Sequence, residues 1–459
     1  MIYITAAVLV LALLAFTWIG LQARRTGAGL DDYITARNSQ GARALGLSFL
    51  ASGMGAWILF APPEIGALVG PVALAGYALG AALPFVVFAF CGPAIRRYLP
   101  AGRSIGEFAQ AKYGNGVRRW VTLISVLYML CFLTAELTAI GAITGLLSDL
   151  DGSVAVVGVA LATLVYTAWG GLRASLVTDR WQAVLLIALL LVVGVAVLPS
   201  LPVIPEASPL PAVPTGSALA VALTLVIAVT AANLFHQGYW QRLWSASDGE
   251  VLERGALLGG LVTVIVVALV GGLGIIAAMS GTDLGSPPIP FFALLADAPA
   301  WLSLLALVLA LTLVASSVDT LQNALASLAI TEKAGLGLTE ARWLIVVLMV
   351  PVVLIALQGY SVLRLFLIAD LLCATAVVPV FLGLWDRMTP AAAIAGIVAG
   401  IVGAVLPGWV AGGSLADGLI VASFPGGIPT LEPFGYALVA STLVSVAVAL
   451  AKPARVLPS

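Results

Sequence analysis

Long, uninterrupted blocks of apolar residues dominate the sequence. Segments such as Ile2–Gln22 and Ala256–Met279 reach the roughly 20 residues that an α-helix needs to cross about 30 Å of hydrocarbon. Backbone groups in lipid have no water partner, so such blocks must form helices. Only 9% of the residues are charged, against about 25% in a soluble domain. The sequence therefore predicts an all-α integral membrane protein.

The apolar blocks predict about thirteen membrane spans joined by short polar connections. The basic residues orient them, because short loops rich in Lys and Arg stay in the cytoplasm. With the N-terminus outside, all but Arg364 of the chain's 20 Lys and Arg lie on the cytoplasmic side. We therefore expect a multi-pass protein of the inner (plasma) membrane with a cytoplasmic C-terminus. The predicted spans are 2–22, 43–69, 71–98, 117–147, 153–171, 178–199, 217–244, 253–280, 299–332, 341–357, 362–384, 390–411 and 434–451.

The order of the spans also predicts an internal symmetry. The second span starts inside and the seventh, five helices later, starts outside, as in the inverted repeats of secondary transporters. We therefore expect a 5+5 inverted-repeat core with one extra N-terminal helix and two extra C-terminal helices. The corresponding segments are 1–42 for the first helix and its loop, 43–199 and 217–384 for the repeats, and 390–459 for the last helices and tail.

The composition and the motifs argue against several function classes. A net charge of −1 offers no basic surface for nucleic acid. Cys91, Cys131 and Cys373 are far apart in the sequence, and the chain has one histidine, which argues against a disulfide framework or a multi-histidine metal site. No phosphate-binding loop, kinase motif or hydrolase elbow appears. We therefore expect neither nucleic-acid binding nor enzyme activity.

Two predicted helices carry features that interrupt a membrane span. The second contains two glycines and then Pro62-Pro63, which weaken a helix and free carbonyls for a bound cation, although close helix packing explains the glycines equally well. The seventh, its counterpart in the repeat, carries four polar side chains, which is costly unless they face a cavity; His236 is equally typical of packing. Candidate substrate contacts are Gly53, Trp57 and Glu64 on the second helix, Glu136 on the fourth, and Asn233, His236, Gln237 and Trp240 on the seventh.

The ninth helix carries hydroxyls and a carboxyl at membrane depth. Ser316, Asp319 and Thr320 stand at positions i, i+3 and i+4, so they share one face. Hard oxygen ligands suit a hard cation, and an acid inside the membrane is a functional candidate. Serines can also bond back to the preceding turn of their own helix. The pattern favours a sodium site on this face.

The chain resembles a known family over much of its length. The stretch Tyr166–Ala174, with its Gly170-Gly171 pair and the Thr178-Asp179 pair after it, resembles the signature of the sodium:solute symporter family. The family shares the inverted-repeat fold of the leucine transporter, so the resemblance implies that fold and sodium-driven transport. Further segments similar to the family's core helices are Ala51–Met54, Tyr239–Arg242, Ser316-Ser317 and Ile330–Glu332.

The resemblance also implies the residues that bind sodium. The family's shared site uses backbone carbonyls of the broken first core helix and a carbonyl and hydroxyls of the eighth. The matching positions here are Ala51, Met54, Leu313, Ser316 and Ser317. A second sodium site, present in some members, would draw on Asp179, Asp319 and Thr320; Asp179 is equally typical of a solvated helix start.

We therefore expect a transporter that imports a small organic solute with Na⁺ by alternating access. The solute pocket is expected between the second, fourth, seventh and eleventh helices. Apolar walls with few charges favour a neutral, zwitterionic or monoanionic solute. Two alternatives stay open: proton coupling through Glu136, Asp319 or Glu64, and a membrane sensor or receptor module of the same fold.

Overall fold

The computed structural model describes residues 2–23, 29–197, 213–285, 288–296, 298–332, 337–359, 362–425 and 429–451. The polar connection predicted between the two repeats lies largely outside these residues. The same holds for several of the basic residues used to orient the spans: Arg24, Arg25, Lys333, Lys452 and Arg455. Within the described part the chain is helical, with a single isolated bridge between Gln40 and Ala246.

The helices in chain order are α1 (Ile2–Gln22), α2 (Leu30–Thr35), α3 (Ala42–Gly53), α4 (Trp57–Leu68), α5 (Pro71–Tyr98), α6 (Ile105–Tyr113), α7 (Asn115–Leu147), α8 (Gly152–Val197), α9 (Thr215–Leu234), α10 (Gln237–Ser245), α11 (Gly249–Met279), α12 (Pro290–Ala293), α13 (Ala300–Glu332), α14 (Leu338–Ala356), α15 (Val362–Ala374), α16 (Val377–Phe381), α17 (Pro390–Gly412), α18 (Leu415–Ala422) and α19 (Leu431–Ala451). Ten described helices are long and apolar enough to span a membrane, or twelve when two bent pairs count as single spans. This confirms the predicted all-helical membrane class.

Helix α8 covers what the sequence divides into two spans, at 153–171 and 178–199. At about 1.5 Å per residue its 46 residues would extend about 69 Å, roughly twice the thickness of the hydrocarbon core. Gly171 breaks it with φ 59° and ψ −152°, a conformation that only glycine adopts readily. We infer that α8 crosses twice, with the turn at Gly171. The predicted total of thirteen spans stays a prediction that these helices allow.

The second span is interrupted, but not at its prolines. Helices α3 and α4 meet at an angle of 70° across Met54–Ala56, while Pro62 and Pro63 lie inside the continuous α4. Met54 takes an extended conformation with φ −97° and ψ 94°. The break therefore falls between Gly53 and Gly55, where the helix propensity is lowest.

The seventh span is interrupted as well. α9 ends at Leu234, and α10 starts at Gln237 after Phe235 and His236. Both interruptions were predicted from glycine and polar residues in otherwise apolar segments. The eleventh span is bent as well, by 46° between α15 and α16, which the sequence did not indicate.

Small residues set the distance between the central helices. A Cβ on Gly76 or Gly80 of α5 would meet the backbone of α9, and one on Gly274 of α11 would meet the carbonyl of Pro63 in α4. Membrane helices use such residues because close backbone approach replaces the hydrophobic drive available in water. The packing holds both broken spans between long, straight helices.

Candidate functional site

A carboxylate fills the interruption of the second span. The backbone amide of Ala56, at the start of α4, donates to Glu136 Oε2 over 2.7 Å. Ser317 Oγ of α13 donates to the same oxygen over 2.9 Å. Glu136 on α7 is 1% exposed, and its Oε1 has no hydrogen-bond partner among the described residues. One side chain thus ties the break in α3–α4 to α13 across three elements of the fold.

The residues that the resemblance assigns to sodium lie on α3, at the break that follows it, and on α13, and Ser317 is the one that contacts Glu136. Ser317 Oγ lies 3.2 Å from the carbonyl oxygen of Leu313, and Ser316 Oγ donates to Asp179 Oδ1 over 3.0 Å. Ala51 and Met54 are fully buried at the end of α3, where the last carbonyls of a helix lack intrahelical partners. Carbonyls, hydroxyls and an unpartnered carboxylate oxygen are the donor set that a sodium ion requires, so the residues present fit the ion.

Asp179 lies deeper in a network of its own. Arg242 Nη2 of α10 pairs with Asp179 Oδ2 over 2.6 Å, and both side chains are fully buried. Ser48 Oγ of α3 donates to the same Asp179 oxygen over 2.5 Å and accepts from Arg242 Nε over 2.8 Å. With Ser316, this network joins both broken spans to α8 and α13. Asp179 is therefore no solvated residue at a helix start.

Asp319 has its shortest hydrogen bonds to α8. Tyr166 OH and Ser175 Oγ each donate to its carboxylate over 2.7 Å, and Thr178 Oγ1 donates over 3.1 Å. Thr320 Oγ1 lies 3.2 Å from Ser175 Oγ. The shared face predicted for the ninth span is thus the face that packs on α8. Thr320 Oγ1 lies 3.4 Å from Arg242 Nη2, the group that pairs with Asp179, and the second sodium site stays a prediction.

A cavity that is partly open to solvent, with about 350 Å³ of empty space when that solvent is included, lies beside the break. The second, fourth, seventh and eleventh spans line it, which are the four spans predicted around the solute pocket. Helix α5 completes the wall. The lining side chains are Trp57, Tyr77, Tyr128, Phe132, Val229, Asn233, Phe366 and Asp370. A second cavity of about 210 Å³ shares Trp57 and Asn233 with the first and reaches Gly53 and Met54 at the break. Both cavities therefore adjoin the break in the second span.

Only some of the predicted substrate residues line the two cavities. Trp57, Asn233 and Gly53 line the two cavities. Glu136, by contrast, lies at the helix break. Glu64 lies on α4, seven residues after Trp57.

Three residues predicted on the seventh span do not line either cavity. Gln237 bonds to the carbonyl of Arg103, the amide of Ile105 and Ser327 Oγ, so it joins helices. The indole of Trp240 bonds to the carbonyl of Leu234. His236 is fully buried and stacked on Tyr239, as the packing alternative expects, but neither ring nitrogen has a hydrogen-bond partner among the described residues.

Several site residues escaped sequence reasoning. Tyr77, Tyr128, Phe132 and Phe366 look like ordinary apolar filling within their spans. Asp370 stands out as an acid in an apolar block, which is a signal, but the sequence does not tell which way it faces. Arg242 carries no signal of pairing with Asp179, because 63 residues separate them.

The matching family model is described as the Sodium:solute symporter family and covers residues 33–207. Among curated proteins, the chain is 29% identical over 365 residues to the spermidine transporter DUR31 of Candida albicans (strain SC5314 / ATCC MYA-2876). That match covers 77% of this chain and 70% of the relative.

Solved transporters share the fold. A Na⁺-coupled sialic acid symporter, in a substrate-bound outward-open state, has a TM-score of 0.73 at 18% identity and covers 99% of both chains. Mhp1, a nucleobase-cation-symport-1 family transporter in a closed conformation, has a TM-score of 0.55 at 14% identity, covering 91% of this chain and 94% of that one. Together these findings confirm the resemblance seen in the sequence: this chain is a multi-pass membrane transporter, not an enzyme, and it is similar to the sodium:solute symporter family.

Proposed function

We propose that this protein is a sodium-driven symporter that imports a small organic solute by alternating access. The observation that carries the proposal is the contact between the broken second span and α13. Glu136 accepts hydrogen bonds from the backbone amide of Ala56 over 2.7 Å and from the hydroxyl of Ser317 over 2.9 Å. A cation at this point would attract the carboxylate, the hydroxyls and the free helix carbonyls together. Its binding would therefore control the position of the half-helix that carries Trp57.

We assign the coupling ion to Ala51, Met54, Leu313, Ser316 and Ser317, with Oε1 of Glu136 as a further ligand. That oxygen is buried without a partner among the described residues, which is costly unless something bound satisfies it. Ser316 and Ser317 would turn their lone pairs to the ion while donating to Asp179 and Glu136. When the ion leaves toward the cytoplasm, α3 and α4 lose their tie to α13 and the solute can follow.

A second ion fits less readily. Its proposed ligands are Asp179, Asp319 and Thr320, but the charge of Asp179 is already balanced by Arg242 at 2.6 Å. Occupancy of this site would require the guanidinium to move away. We therefore propose one sodium ion per cycle as the starting hypothesis.

The repeat layout and the orientation belong to the same proposal. The two interrupted helices, α3–α4 and α9–α10, are the leading helices of the two proposed repeats, 43–199 and 217–384. An outside N-terminus puts Ser247 in the cytoplasm and Thr282 outside. In intact cells a membrane-impermeant maleimide should then label Thr282→Cys and spare Ser247→Cys, and the reverse pattern would contradict the orientation.

The ion is tested by intrinsic fluorescence of the purified protein titrated with sodium, with potassium as the control. Trp57 is the reporter, because its indole donates to the carbonyl of Gly53 over 3.1 Å across the break. We expect a saturable, sodium-specific change that the double variant Ser316→Ala/Ser317→Ala loses. Ser441→Ala is the matched control, since this buried serine only bonds back to Leu438 of its own helix. An equal response to sodium and potassium would contradict the proposal.

Proton coupling is the second candidate, and the buried carboxyl of Glu136 favours it. In that case uptake would follow a pH gradient without sodium, and Glu136→Gln would abolish the dependence. The curated relative is described as a spermidine transporter. Spermidine is accordingly one of the first solutes to screen.

A further inference from the structure

We propose that the central cavity binds an organic cation, a molecule with a protonated amine, and that Asp370 is its counter-ion. The proposal rests on the transport function above and names the substrate class of the same cavity. It differs from the neutral, zwitterionic or anionic solute that the sequence favoured.

The first argument is an unbalanced charge. Asp370 lines the cavity and is 6% exposed. Among the described residues it has neither a hydrogen bond nor an ion pair. Every other lining residue is uncharged, so no Lys, Arg or His of the cavity wall neutralises it. A buried carboxylate is costly unless it is paired, and a cationic solute supplies the missing partner.

The second argument is the composition of the wall. Five aromatic rings surround the cavity: Trp57, Tyr77, Tyr128, Phe132 and Phe366. Trp57 and Tyr77 are stacked with their centroids 5.6 Å apart, and Phe132 and Phe366 meet edge to face at 5.0 Å. Aromatic faces attract cations through their quadrupoles and recognise alkylated ammonium groups in this way. The same rings would bind the methylene chain of an amine by apolar contact.

The third argument is a second carboxylate on the same helix as Trp57. Glu64 is partly buried and lacks a hydrogen bond or ion pair among the described residues. It follows Trp57 by seven residues, which places it about 10 Å further along α4. The negative charges of Asp370 and Glu64 would together attract cations and repel anions. We therefore expect diamines and longer amines to bind better than monoamines of equal apolar area.

The test is ligand binding to the purified protein, measured by thermal stabilisation with and without sodium. The probes are spermidine as a cation, proline as a zwitterion, urea as a neutral solute and acetate as an anion. We expect stabilisation by spermidine and roughly ten- to hundredfold weaker spermidine binding in Asp370→Asn, because a charge-assisted contact is lost. The matched control is Asp283→Asn, an exposed acid outside the cavity.

Sodium binding separates this proposal from the transport proposal. An intact sodium response in Asp370→Asn shows that the variant is folded, so a selective loss of spermidine binding supports the cation site. Spermidine binding that Asp370→Asn weakens, without any sodium response in wild type, also supports the cation site and overturns sodium coupling instead. A sodium response with no spermidine binding, or with equal binding in wild type and Asp370→Asn, overturns the cation site.

Discussion

At the scale of single residues, the site depends on buried charges that share hydroxyl partners. Glu136 accepts a hydrogen bond from Ser317, and Asp179 accepts one from Ser316. Neighbouring hydroxyls are thus held by carboxylates on different helices. The sequence identified Glu136 and Ser316 as candidates because polar groups at membrane depth are costly, and the family resemblance added Ser317 and Asp179. The sequence did not predict the hydrogen-bond partners, since Ser317 and Glu136 are 181 residues apart.

Breaking the Asp179–Arg242 pair should destabilise the protein strongly. Both side chains are fully buried, so Asp179→Asn or Arg242→Gln leaves one uncompensated charge in the core. Losing one partner of such a pair costs about 3–5 kcal/mol. The measurement is thermal unfolding of the single and double variants in detergent.

The double variant Asp179→Asn/Arg242→Gln should recover much of the stability lost by either single variant, because no buried charge is then left unpaired. The control is Arg37→Gln, whose partner Asp31 is half-exposed. The Arg37 guanidinium lowers the pKa of Asp31 and also donates to the carbonyls of Pro100 and Gly102, but its loss leaves only a half-exposed carboxylate unpaired, so it should cost less than a break in the buried pair. Strictly additive losses at Asp179 and Arg242 would contradict the pairing.

At the scale of elements, the interruptions of the second and seventh spans were predictable and their geometry was not. Gly53 and Gly55 marked the first break, yet Pro62-Pro63 left α4 intact because neighbouring helices bury this segment. The bend between α15 and α16 has no proline or glycine at Thr375-Ala376 to announce it. Local propensity therefore located the breaks that depend on glycine and missed the one that depends on packing.

Two glycines of α11 give a direct test of the packing around the broken span. A Cβ on Gly274 would collide with the carbonyl of Pro63 in α4, whereas one on Gly272 would meet no atom within 4 Å. Gly274→Ala should therefore lower the melting temperature and weaken the sodium response. Gly272→Ala should be neutral or stabilising by up to about 1 kcal/mol, from helix propensity alone. Equal behaviour of the two variants in thermal unfolding would argue against this contact.

At the scale of the whole molecule, the apolar blocks were sufficient to predict an all-helical membrane protein, and the interrupted helices and the family resemblance added transport. Lipid permits so few backbone arrangements that composition alone excludes most folds. The four spans expected around the solute pocket do line the cavity, but most of its aromatic residues were beyond prediction, because they come from spans that are distant in sequence, such as those of Tyr77 and Phe366. Composition indicates that such residues are buried, but it does not distinguish a ring that lines a cavity from one that fills the core.

The central claim is that sodium binds where α13 meets the interrupted second span. The most direct measurement is binding of radioactive sodium to the purified protein, competed with unlabelled sodium and with potassium. We predict saturable binding that sodium displaces and potassium does not, lost in Ser316→Ala/Ser317→Ala and retained in Ser441→Ala. Folded wild-type protein without displaceable sodium binding, or with undiminished binding in the double variant, would contradict the account.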